Sequence, residues 1–533
     1  MPEPLPTSPR FWDLFLASPS PGRRWPGALR AALALAIPGS IALLLGYDAE
    51  MLLIAAGGFT VIYGEGHPTR TRWRVLTLAA LLLVSGSVAG AFVGSVVWAQ
   101  DNHWWLLLTA LFIASAAALG AFVQNALRLP PPGCFFIIMV TGGATMVARL
   151  GLDPLEVGAW ASVGALSGFF LGLLPRRTPE IDAVRALEKA VTDFAAGEPS
   201  VARLHQARTL LTQAWDTLAD AGAIRAGRII DNSRADLVTR TLAAHRKLAA
   251  LNSPELDPGM ARTVIPHTRA SISYRLYRSL HAHSHATVTA LRVFAAALGA
   301  GALGIILGFD RPDWAIVSAL LILQWGPDRL PGTIRGLHRL LGSFLGIGLF
   351  ALLYLADLNV WGLLLALAVC QFCAEIFVVR NYMLCVLVTT PLALMMGNAL
   401  ALPLGETIAA RTIEVLLSVV FALALLWIAP RDAAQHARLM EDTRETLHTL
   451  LGTLLTATPD QALPQRRDLQ FELLSERRAA QSLALNHPAV ASARWAEHLA
   501  LQATGYALLD RCQAQPDTRL PLGDIQAVAE RLS

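Results

Sequence analysis

Charge is scarce in this chain. Asp, Glu, Lys and Arg make up 15% of its 533 residues, against roughly 25% in soluble globular proteins, which excludes an ordinary water-soluble enzyme. Lysine is nearly missing, with only Lys189 and Lys247. The formal net charge of +4 is too small to point to nucleic acid as a partner. Five cysteines, Cys134, Cys370, Cys373, Cys385 and Cys512, make no disulfide framework. Cys370-Gln-Phe-Cys373 has zinc or redox spacing but no second pair. No basic segment followed by an apolar core and a cleavage site opens the chain, so a secretory signal is not expected. Walker A, nucleophile-elbow, dinucleotide and paired metal-ligand motifs are missing too. The reading is a non-enzyme, with no catalytic residue, no cofactor and no metal.

What remains is apolar. Hydrophobic residues make up 54% of the chain and the mean hydropathy is +0.48. Yet 43 basic and 39 acidic residues are too many to hide in lipid. Apolar runs of membrane length fall into two groups of six. The first reads 26–45, 50–63, 75–99, 103–123, 133–148 and 157–174. The second reads 287–308, 314–325, 337–355, 360–379, 382–397 and 411–429. Most approach the ~20 residues that span a bilayer, the second and fifth of each group being short. The polar stretches between and after them keep helical periodicity. In Ala202–Leu211 apolar positions recur at i, i+3 and i+7, with Arg and Gln on the other face. Ser475–Ala480 and Arg494–Glu497 follow a similar pattern.

The expected fold is therefore all-α and polytopic: two parallel six-helix transmembrane repeats, each followed by a cytoplasmic helical bundle. The divisions are an N-terminal segment, 1–25, with an interfacial helix at Arg10–Leu16, a first repeat, 26–175, and a helical domain, 176–286. A second repeat, 287–430, and a C-terminal helical domain, 431–533, follow. The duplication rests on matched landmarks. Leu29-Arg30 corresponds to Leu291-Arg292, and Gly46-Tyr-Asp48 to Gly308-Phe-Asp310. Gly86-Ser-x-x-Gly90 corresponds to Gly342-Ser-x-x-Gly346, Val140-Thr141 to Val388-Thr389, and Pro175-Arg176 to Pro430-Arg431. Arginine placement gives a topology. Arg23, Arg24, Arg30, Arg70, Arg72, Arg74, Arg128, Arg176, Arg177, Arg329, Arg335, Arg339, Arg380 and Arg431 lie on one side. The opposite loops hold Arg149, Arg311 and Arg411 among many carboxylates. The positive-inside rule puts the first side, both termini and both bundles in the cytoplasm, and an even number of spans makes the repeats parallel.

Candidate transport residues follow from the spans. Thr141-Gly142-Gly143 and Thr389-Thr390-Pro391 are read as interruptions of the two fifth spans. Matched breaks in two repeats point to a transporter binding site, because freed backbone groups at membrane depth need protein or water around them. A kink satisfied by packing is the bland alternative. Arg30 and Arg292 sit at the cytoplasmic ends of spans one and seven, and Arg339 opens span nine. Gln324 ends span eight, and Gln371 and Glu375 share a face of span ten. An arginine pair suits a carboxylate substrate, and Glu375 suits a coupling proton. The alternative is that Glu375 pairs with Arg339 or Arg380 while Arg30 and Arg292 snorkel to headgroups. His281-Ala-His283-Ser-His285 has metal-compatible spacing but no third ligand, and reads as a solvated or headgroup-contacting helix end.

The order of elements resembles the fusaric-acid-resistance-like family of bacterial inner-membrane proteins, which includes aromatic carboxylic acid exporters. Plant aluminium-activated malate channels look like distant relatives of its membrane unit. The segment Arg339-Leu-Leu-Gly342-Ser343-x-x-Gly346 looks like the family's Arg-x-x-Gly-Thr-x-x-Gly, and the Pro430-Arg431 exit also fits. The first half has Leu83 where the second has Arg339, so an anion role of that motif is single-sided. The resemblance implies export of small aromatic or other organic acids across the bacterial inner membrane, with a periplasmic adaptor and a homo-oligomer as possible partners. A passive organic-anion channel and a non-transporting scaffold acting through its helical bundles are the alternatives.

Overall fold

The computed structural model describes residues 5–6, 9–18, 24–48, 50–174, 178–197, 200–225, 228–252, 270–326, 328–397, 402–428 and 432–532. Helices dominate. A short helix α1 (Phe11–Phe15) precedes α2 (Trp25–Leu44), α3 (Met51–Gly58), α4 (Thr60–Tyr63), α5 (Thr69–Trp98), α6 (Leu106–Leu127), α7 (Phe135–Ala144) and α8 (Pro154–Leu173). Three amphipathic helices come next, α9 (Pro179–Ala196), α10 (Val201–Ala221) and α11 (Ala235–Asn252). A two-residue-a-side hairpin, β1 (Ile224–Arg225) with β2 (Arg228–Ile229), lies between the last two. After α12 (Ile272–Ser279) the second apolar block follows: α13 (His285–Ile306), α14 (Pro312–Leu323), α15 (Arg329–Leu355), α16 (Val360–Arg380), α17 (Tyr382–Met396) and α18 (Leu404–Ile428). The polar helices α19 (Asp432–Leu454), α20 (Leu463–Asn486), α21 (Pro488–Ala514) and α22 (Leu522–Glu530) end the chain.

Eight of the described helices are long and apolar enough to cross a membrane, and four apolar stretches are shorter: Met51–Tyr63, Phe135–Arg149, Pro312–Leu323 and Tyr382–Met396. These four are the second and fifth runs of each group, as their sequence lengths predict. Both Pro175-Arg176 and Pro430-Arg431, with Arg23 and Arg177, lie outside the described residues.

The two blocks interlock. Helix α6 packs along α13 of the other block, and α16 packs along α2. Within the blocks α5 lies on α7 and α8, and α15 on α17 and α18. Small residues permit this. A Cβ on Gly90 would sit 2.2 Å from the Thr141 carbonyl oxygen, and one on Gly346 would sit 2.7 Å from that of Leu387. Backbones this close gain dispersion contacts that lipid, already apolar, cannot replace with a hydrophobic force. At α3–α8 the approach is closer, with Gly57 facing the Ala161 carbonyl and Gly164 that of Ile54.

Helix α14 is the centre of the molecule. Every residue from Pro312 to Leu323 is buried, and it touches α6, α7, α13, α15 and α18. At 1.5 Å per residue its 12 residues span about 18 Å, well short of a ~30 Å hydrocarbon core. Its N-terminal residues Pro312, Asp313 and Trp314 are buried in protein.

Of the two interruptions expected in the fifth spans, the one at Thr389-Thr390-Pro391 does not occur, while the helix at the other ends at Ala144, one residue after Gly143, before a 3-10 turn at Val147–Leu150. Helix α7 runs through Thr141, Gly142 and Gly143 to Ala144, and α17 runs through Thr389, Thr390 and Pro391 to Met396. Packing explains this: Thr141 sits against Gly86 and Gly90, while Thr390 sits against Gly346, so tertiary contacts hold helical backbone where Gly and Pro weaken it.

The polar helices form two cores. Val184, Leu187, Trp215, Leu218, Val238 and Leu248 join α9, α10 and α11, and Leu447, Leu450, Leu469, Leu473, Leu508 and Ile525 join α19 to α22. Between them Arg208 of α10 makes a bidentate ion pair with Asp510 of α21, one contact at 2.7 Å, with both side chains buried. The polar face read for Ala202–Leu211 is therefore a buried interface at His205 and Arg208.

Candidate functional site

A cleft opens between the two apolar blocks. Its walls differ. The first block supplies Leu52, Leu53, Ala56, Phe135, Met139 and Val140, and the second supplies Arg311, Asp313, Trp314, Arg339, Thr389 and Arg411. Small-molecule sites combine an apolar lining with a few placed polar groups, and the lining of this cleft has that composition.

The N-terminal end of α14 organises the charged wall. Arg311, just before Pro312, donates to both Asp313 carboxylate oxygens at 3.1 and 3.2 Å. Its guanidinium lies 4.3 Å from the Trp314 ring centroid, and that of Arg411 lies 4.9 Å from the same ring. Two cations on one indole are held by the negative face of its π system. Arg339 reaches across from α15, and its Nε and Nη2 donate to Ser318 Oγ at 3.2 and 2.8 Å. Ser318 in turn donates to the Trp314 carbonyl at 2.8 Å. Arg339 stands ten residues into α15, about 15 Å from its start, where the apolar part of the helix begins. One turn beyond Arg411, Glu414 is fully buried, and neither carboxylate oxygen has a hydrogen-bond partner among the described residues.

The charges do not cancel. Three guanidinium groups face two carboxylates, Asp313 and Glu414, and Arg339 hydrogen-bonds a neutral hydroxyl. Such a cleft attracts a monoanion, whose carboxylate can take paired guanidinium donors. Bare cations within spans are costly and occur where they face a cavity or a partner.

The sequence-derived candidates divide. Arg339, Gly143 and Thr389 line the cleft, and a Cβ added to Gly142 would sit 3.2 Å from Asp313 Cβ. Thr141, Thr390 and Pro391 are buried in helix packing. Gln324 is buried at the end of α14, where its carbonyl accepts from Asn125 Nδ2 at 2.9 Å. Arg30 pairs with Glu65, and Gln371 is buried on α16. Arg292 is buried near the start of α13, close to His285. Glu375, half-buried on α16, is outside the cleft lining and faces the charges of Arg24 and Glu65; no ion pair joins it to Arg339 or Arg380 among the described residues. His281, His283 and His285 line a separate cleft with Arg128, Arg438 and Arg478.

Three residues at the site were not among the sequence-derived candidates. Arg311 and Arg411 were assigned to loops as topology charges; Arg311 does precede α14, while Arg411 lies within α18, and they are 5% and 3% exposed. Glu414 drew no attention. The signal available was an Arg-x-Asp-Trp step at a short apolar run and an Arg-x-x-Glu pair inside a long one; charge within a span is expensive enough to be functional by default.

Residues 295–425 match the family described as fusaric acid resistance protein-like. The matched stretch runs from within α13 to within α18 and holds all three cleft arginines, Trp314, Asp313 and Glu414. It bears out the resemblance read from Arg339–Gly346. Together with eight membrane-length helices it identifies a multi-pass, transporter-like membrane protein. No curated protein and no solved structure matches the chain.

Proposed function

From the fusaric acid resistance-like stretch at 295–425, we propose that the chain exports small aromatic carboxylic acids across a bacterial inner membrane. The single observation that carries this reading is the convergence of Arg311, Arg339 and Arg411 around Trp314 in a cleft between the two blocks. The carboxylate accepts from Arg339 and Arg411, while the ring enters the apolar wall of Phe135, Met139 and Leu53. An amphipathic acid thus matches both walls at once.

The blocks act as two parallel six-helix repeats that rock about the cleft, with both termini and the polar helices in the cytoplasm. The like contacts of α5 on α7 and α15 on α17 support the duplication. A negative interior favours anion exit by about 2.3 kcal/mol per charge per 100 mV. The coupling proton expected on Glu375 belongs instead to Glu414, which shares the cleft's electrostatics with Arg411.

The test is efflux from an exporter-deficient strain across a panel of aromatic and aliphatic acids. The reading predicts lowered intracellular aromatic acid and raised resistance. No export of any acid overturns it, and current without proton dependence favours a passive channel.

A further inference from the structure

Far from the cleft, four polar helices bring one carboxylate and three imidazoles into a dry site. Glu476 of α20 is 0% exposed. His436 of α19 contacts it through Nε2 at 2.8 Å. His498 of α21 contacts both carboxylate oxygens through Nδ1 at 2.8 and 2.9 Å. Gln502 fixes the same carboxylate by donating from Nε2 at 2.6 Å. His205 of α10 completes the group, its ring centroid 6.1 Å from that of His498. The two histidine donor atoms and a Glu476 oxygen all lie within 4.8 Å of one another.

Two features set this apart from an ordinary buried hydrogen-bond cluster. Glu476 is a fully buried carboxyl whose polar contacts are His436, His498 and Gln502. No Arg or Lys ion pair neutralises it among the described residues. Around it the polar atoms of one locality lack partners: both ring nitrogens of His205, Nδ1 of His436, Oε1 of Gln502 and the Tyr506 hydroxyl. Buried groups are rarely orphaned singly, and a concentration of them calls for a bound species.

We propose that His436, Glu476 and His498, with His205 as fourth donor, bind a divalent transition-metal cation of the zinc class. Two imidazoles, a carboxylate and a further imidazole form the nitrogen-and-oxygen set that such ions take at about 2.0–2.2 Å. Binding opens the present contacts by about half an ångström and moves the two imidazole protons to the distal ring nitrogens. No net proton release is required. Gln502 then serves as the group that orients the ligating carboxylate. Since His205 comes from α10 and the other ligands from α19 to α21, the ion clamps the two polar helical cores together beside the Arg208–Asp510 pair.

The experiment uses the full chain in detergent, stripped with a chelator and titrated with Zn²⁺. Metal content, melting temperature and the visible spectrum after Co²⁺ loading are read. The proposal expects stoichiometric Zn²⁺, a rise of several degrees in melting temperature and a tetrahedral Co²⁺ band. It expects all three to be lost in His498→Gln and the ion to be held more weakly in His205→Asn. Where His498→Gln fails to fold, Glu476→Gln, which keeps the side-chain shape, replaces it. Equal metal content in wild type and variant, or an unchanged melting temperature with Zn²⁺, overturns the proposal. Its outcome is independent of what the cleft carries.

Discussion

Arg339 is the residue on which anion recognition turns, because its donors meet a hydroxyl and leave its charge uncompensated. Hydrogen bonds involving a charged group contribute about 1.5–3 kcal/mol, so Arg339→Gln is expected to cut efflux roughly 10- to 150-fold. Arg339→Lys keeps the charge but not the fork and should retain part of the activity, measured as initial efflux rate. Glu414 has the complementary test. Glu414→Gln is expected to leave export running but to remove its dependence on an imposed pH gradient, read in proteoliposomes at matched membrane potential. Arg339 was legible in the sequence because a glycine-rich helix motif carries it. Arg311 and Arg411 were not, since arginine counting treats a charge beside a span as a loop charge and has no measure of depth.

The helix-packing elements were legible in outline and not in detail. Apolar run lengths gave the four short segments, but composition could not show that α7 and α17 continue through Thr-Gly-Gly and Thr-Thr-Pro. The glycines of α5 and α15 decide that, through backbone contacts made across 50 residues of sequence. Gly90→Val places carbon atoms where the Thr141 carbonyl stands, and overpacking of this kind costs about 1–3 kcal/mol. A lower melting temperature in detergent, with α5 and α7 driven apart, is the expected result. Helix α11 gives a pH prediction. His245 is buried against Trp215, and burial pulls its pKa down from the ordinary 6.5 to about 4. A base with a lowered folded pKa stabilises fully above 6.5 and loses that contribution as pH falls towards 4. The span corresponds to about 3 kcal/mol, so acid melting of the polar helices should begin below pH 6.5. His245→Phe should flatten that part of the pH–stability curve.

At the scale of the molecule, two features define the arrangement. The blocks exchange helices, α6 lying on α13 and α16 on α2, and the polar helices meet through Arg208 and Asp510. Breaking a buried pair strands a charge and costs about 3–5 kcal/mol. Arg208→Met is expected to lower stability by that order, and the double change with Asp510→Leu to recover most of it, in a thermal-unfolding cycle. The asymmetry of the cleft is also a whole-molecule property. Leu83, which stands where the second block has Arg339, is fully buried in an apolar cluster with Ala34 and Val140. The second half therefore supplies the cations, while both halves supply apolar wall. That division favours a substrate with a charged end and a greasy end, and it is the central claim. Its most direct measurement is the efflux rate of an aromatic monocarboxylate, side by side with an uncharged analogue of the same ring, in cells carrying wild-type or Arg339→Gln protein. The account predicts rapid export of the acid by wild type, a loss of at least roughly tenfold in the variant, and no export of the neutral analogue. Equal rates for wild type and variant, or equal rates for acid and analogue, would contradict it.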